Sequence, residues 1–99
     1  MKILVVDDEI LARNRIIKLL KDINHIDNVV QASTGKEAIN VIKNNKPDLL
    51  FLDIQMTDMT GFDVLRETED INLPIIIFVT AYDTFAVQAF DVEALDFLI

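Results

Sequence analysis

The sequence predicts an α/β domain built on a parallel sheet. Short β-branched runs alternate with segments of helical periodicity, in the order βαβαβαβαβ. The central runs, DLLFLD over 48–53 and PIIIFVT over 74–80, are apolar at nearly every position, as in strands covered on both faces. Only two prolines and two glycines punctuate 99 residues, which leaves little room for a linker. A single domain over residues 1–99 follows.

Each element has its own signal. KILVV, residues 2–6, is a strand that ends abruptly at Asp7-Asp8-Glu9. Ala12, Ile16, Leu19, Leu20 and Ile23 then recur at helical spacing. NVVQA, residues 28–32, reads as the second strand. Ser33 or Thr34 caps the second helix, whose apolar face is Ala38, Ile39 and Ile42. Asn44-Asn45-Lys46-Pro47 stops it, and the third strand runs from Asp48 to Asp53. Gly61-Phe62 opens a short third helix with Leu65 inward. The fourth strand starts at Pro74, a fourth helix at Thr84, and ALDFLI, 94–99, closes the series as the fifth strand. Right-handed crossovers and the order 2-1-3-4-5 give a flavodoxin-like, doubly wound five-stranded sheet.

Composition narrows the function. No apolar run approaches the ~20 residues of a membrane span, and the short run after Met1 is cut by three acids, so no signal peptide is read. Cysteine is absent, which excludes disulfides and thiolate metal sites. A soluble cytoplasmic chain is the expectation. The net charge is −8, and every Lys and Arg lies at or before Arg66. Such a surface repels phosphate backbones, so this chain is not expected to bind DNA by itself.

Chemistry concentrates at the carboxyl ends of the strands. Asp7 and Asp8 end the first strand and Asp53 ends the third, which the predicted order makes a neighbour at ~5 Å. Three acids so close do not all stay ionised without a compensating charge, and Mg2+ is the natural compensator. Helix capping by Asp8 or Glu9 is the plainer alternative, but it explains neither the doublet nor its convergence with Asp53. Thr80 ends the fourth strand, where its hydroxyl can donate to a phosphoryl oxygen on Asp53. A carboxylate is a competent nucleophile for phosphoryl transfer.

The segments ILVVDDE, PDLLFLDIQM followed by Gly61, and IIIFVTAYD resemble the receiver domains of two-component response regulators. The resemblance covers the whole chain. It implies that Asp53 is the phosphoacceptor and that a sensor histidine kinase is the donor. It makes Asp7, Asp8 and Asp53, with the Gln55 backbone carbonyl, the Mg2+ ligands. Thr80 becomes the switch hydroxyl and Phe97 the switch aromatic. It also implies a phosphorylation-dependent switch rather than an enzyme. The tail AYDTFAVQAFDVEALDFLI resembles the subgroup with a LytTR-type DNA-binding effector, so DNA would be met only through a domain outside this chain.

Three departures stand out. Thr57 occupies a position where the family has proline, which should loosen the loop after the third strand. Phe97 replaces the tyrosine common in this subgroup. The family continues after Ile99 with a Lys-Pro pair and a fifth helix. On that pattern the chain is a receiver truncated at its C-terminal side, lacking the last helix, with an exposed apolar face expected to drive homodimers or swapped oligomers. The lysine would pair with the phosphoryl group and Asp53, so a receiver-like self-association module without productive phosphorylation is then the alternative function.

Two other groups of residues carry less. Arg13, Arg15, Lys18 and Lys21 are assigned to the wet side of the first helix, with kinase docking as the alternative, and His25 to an exposed loop. A haloacid dehalogenase-type phosphatase needs a second Asp two positions after the nucleophile, which VVDDEIL does not supply. No Gly-rich phosphate loop follows the first strand, so flavin and dinucleotide binding are not expected.

Overall fold

The computed structural model describes residues 1–23, 26–69, 74–79 and 96–98. Five parallel strands form one sheet: β1 (Lys2–Val6), β2 (Asn28–Ala32), β3 (Leu49–Asp53), β4 (Ile75–Val79) and β5 (Asp96–Leu98). Their spatial order is β2-β1-β3-β4-β5, as the alternation predicts. Three helices are described: α1 (Ile10–Leu20), α2 (Gly35–Asn45) and α3 (Gly61–Glu67). The expected fourth helix, Thr80 and His25 lie outside the described residues.

Period-two alternation sorts the strands' side chains onto two faces. Leu4, Val6, Leu50, Leu52, Ile76 and Phe78 join Ala38 and Ile42 of α2 and Phe62, Val64 and Leu65 of α3 in one core. Ile3, Val5 and Phe51 pack on Ile16 and Leu20 of α1 in the other. β1 and β3 are therefore buried on both sides, and this fixes their register.

Two sequence expectations for α1 are corrected. Leu19 is 68% exposed and Ile23 56% exposed. The contact face is set by Ile16 and Leu20 with Ile17 beside them, and at 100° per residue Leu19 falls outside that arc. The third strand also starts one residue late. Asp48 is in the preceding turn, where its carboxylate accepts the Lys2 N–H at 2.8 Å.

The helix ends follow from local chemistry. Thr34 caps α2, its Oγ1 accepting the Glu37 N–H at 3.1 Å. Thr60 and Asp63 form a reciprocal capping box on α3. Lys46 ends α2 in the left-handed region at φ 47°, and Pro47 prevents continuation.

Candidate metal and phosphoacceptor site

The register carries the acids to one place. Val6 of β1 stands opposite Leu52 of β3, and the next residue on each strand is Asp7 and Asp53. Asp8 follows at the start of the turn into α1. One carboxylate oxygen from each of Asp7, Asp8 and Asp53 lies within 4.8 Å of the others. Asp7 is buried and Asp53 half-buried.

Electrostatics follow from this crowding. Burial pushes the Asp53 carboxyl up to about 7, and the charges of Asp7 and Asp8 add to the rise. Backbone N–H groups of Gln55 and Ile54 oppose it by stabilising the charged form. Asp7 is also raised, first by burial and further by Asp8, against the Glu9 N–H that its Oδ1 accepts at 2.9 Å. One acid of the doublet is thus a local backbone acceptor, though it is Asp7 and not Asp8 or Glu9. Glu9 is the N-cap residue of α1 by position and makes no side-chain cap bond.

Among the described residues no Lys or Arg forms an ion pair with these three carboxylates. Hard oxygen donors, mutual repulsion and a half-open rim are the features a Mg2+ site requires, so the residues fit that ion.

Arg13 is corrected from the wet side of α1. It is partly buried, its Nη1 donating to the Asp7 carbonyl at 2.7 Å and its Nε to Gln31 Oε1 at 3.0 Å. Arg13 thereby ties the turn after β1 to β2 without touching the carboxylates. Side chains of helical residues point back toward the N-terminus, and Arg13 is long enough to reach the turn before its own helix.

The loop after β3 is anchored rather than loose, despite Thr57. Ile54 and Met56 are buried in the core. Gln55 bridges Thr60 in antiparallel fashion, and the Gly61 N–H donates to the Ile54 carbonyl at 2.7 Å. Gly61 is required by proximity, since a Cβ there would sit 2.6 Å from the Asp53 carbonyl oxygen. Asp58, which sequence reasoning passed over, accepts the Gly35 N–H at 2.9 Å and the Lys36 N–H at 3.0 Å. An Asp before the capping-box pattern T-x-x-D was the available signal, but the helix that Asp58 caps is another one. Phe97 lies in β5 opposite Phe78.

Comparison with known proteins agrees with this arrangement. Residues 3–99 match the family model described as the response regulator receiver domain. The chain is 42% identical over its full length to the sensory transduction protein LytT of Bacillus anthracis, of which it covers 41%. It is 39% identical to LytR of Staphylococcus saprophyticus, of which it covers 39%. The chain thus spans about two fifths of these relatives. The response regulatory domain of mrkE from Klebsiella pneumoniae superposes with a TM-score of 0.89 at 30% identity, covering 100% of this chain and 82% of that one. Response regulator TrrA from Thermotoga maritima, in complex with Mg2+-BeF, gives 0.86 at 28% identity, covering 99% and 84%. With a family match over residues 3–99 and close superposition on solved receiver domains, the chain belongs to the response regulator receiver domain family.

Proposed function

We propose that the chain is a phosphoacceptor switch in which a sensor histidine kinase donates a phosphoryl group to Asp53. The convergence of three carboxylates at the ends of β1 and β3 carries this reading. An Asp53 carboxylate oxygen attacks phosphorus in line, the P–N bond to the donor imidazole breaks, and the imidazole leaves with its electron pair and takes up a proton. Asp7, Asp8, Asp53 and the Gln55 carbonyl would hold Mg2+, which when bound neutralises charge on the transferring group. The Ile54 and Gln55 N–H groups favour the ionised, nucleophilic form of Asp53. Thr80 and Phe97 are proposed to shift after transfer and to change the pairing preference of the face around β5, a population shift between two states. No catalysis on an external substrate is proposed beyond the domain's own phosphoryl transfer and hydrolysis.

Coupling to DNA would run through an effector domain outside this chain, as the resemblance to the LytTR-type subgroup implies. Incubation with phosphoramidate should add the mass of one phosphoryl group in the presence of Mg2+ and none with EDTA. Metal-independent labelling to the same extent would sink the proposal.

A further inference from the structure

Asp58 is solvent-exposed, five residues after Asp53, and is not one of the three clustered carboxylates. Its two oxygens instead divide between consecutive backbone N–H groups at the start of α2, those of Gly35 and Lys36. These donors are otherwise left open by a helix's first turn. They favour the charged carboxylate, and the Asp58 carboxyl is held below its ordinary value. The next residue, Met59, fills the space a Cβ would take at Gly35 with its Cγ and Sδ. A short loop is thus pinned to α2 at two consecutive residues. At its other end the same loop presents the Gln55 N–H to Asp53, and the Gln55–Thr60 bridge closes it between.

We propose that Asp58 is a positioning residue for the acidic site, clamping the 54–60 loop to α2 so that the Gln55 backbone stays in register with Asp53. The inference rests on the metal-binding reading above and deepens it. Thr57 leaves φ unconstrained in mid-loop, and the Asp58 clamp supplies the rigidity that a fixed φ would otherwise give. The occupant of the site is a divalent cation, and the clamp acts on it through Gln55, not through its own charge.

Mg2+ affinity by calorimetry and metal-free melting temperature test this on four proteins: wild type, Asp58→Ala, Asp58→Asn and Thr34→Ala. Thr34 caps the same helix by accepting the Glu37 N–H on its Oγ1, a bond that does not involve the loop. Asp58→Ala should weaken Mg2+ binding about 10-fold, in the range of residues that support metal ligands. Asp58→Asn keeps one acceptor oxygen and should lose about 3-fold. Thr34→Ala should lower the melting temperature comparably and leave affinity within about twofold. Equal loss in the Ala and Asn variants would mean that only the charge matters and would overturn the clamp. So would unchanged affinity in Asp58→Ala, or a Thr34→Ala loss as large as that of Asp58→Ala. Absence of Mg2+ binding in the wild type would instead overturn the metal reading itself.

Discussion

Asp53 stands where burial and two neighbouring carboxylates oppose its charge, and its carboxyl is pushed up to about 7. The folded form therefore holds a proton that the unfolded chain releases near pH 4. Across that window the metal-free protein binds more protons folded than unfolded, so its stability falls as pH rises from about 4 to 7. Asp53→Asn removes this penalty and should stabilise the metal-free protein at pH 8 by about 1–2 kcal/mol, after discounting for solvent screening. Urea denaturation at pH 5 and pH 8 checks it, since the gain should shrink at the lower pH. Mg2+ competes with that proton, so affinity should rise with pH and level off above about 7. Arg13 is a different kind of residue. It bonds the Asp7 carbonyl and Gln31, and Arg13→Ala should cost about 1 kcal/mol of stability. Periodicity could not find it, because periodicity places Cβ atoms while a long side chain chooses its own direction.

At the scale of elements, the strands are legible because burial on both faces leaves a continuous apolar run, as in β1 and β3. β4 has the same run, although Ile75 is exposed and Ile77 and Val79 are only partly covered. The helix faces are less legible. Leu19 and Ile23 carry apolar side chains into solvent, and no local pattern distinguishes them from Ile16 and Leu20. The loop after β3 reads as loose in the sequence for a similar reason. One absent proline weighed more in the sequence than a core methionine, a backbone bridge and an aspartate bonded 23 residues away. Gly61→Ala puts a methyl against the Asp53 carbonyl, a backbone atom that cannot swing aside. It should destabilise by about 1–3 kcal/mol and weaken Mg2+ binding as well. Lys46→Gly should do the reverse for the far end of α2, relieving a left-handed lysine at φ 47° and adding about 0.5–1 kcal/mol. Thermal melts of the two variants should move in opposite directions. Asp58 and Asp63 sit on helix N-termini with carboxyls held below their ordinary values. Their stabilisation is present above the unfolded value and is lost as pH falls through the folded one, so acid should loosen the starts of α2 and α3.

For the whole molecule, topology turns a local sequence doublet into a site. Asp7 and Asp53 are far apart in sequence, and the β1–β3 pairing makes them neighbours. That step is legible because the alternation of elements implies a doubly wound parallel sheet, and β2-β1-β3-β4-β5 is one of its two common orders. The placement of Asp58 is not legible, since it depends on how one loop meets a helix two elements earlier. A domain with crowded, partly neutralised carboxylates should gain from a bound divalent ion. Mg2+ at 100 times its dissociation constant should add about 2.7 kcal/mol of stability, reversed by EDTA. The proposed nucleophile is Asp53 and not another of the seventeen acids. Borohydride trapping after exposure to phosphoramidate and Mg2+, followed by peptide mass mapping, tests it most directly. The reduced product should map to Asp53 and vanish in Asp53→Asn, while a product at Asp7, Asp8 or any other residue of the wild type would contradict the account.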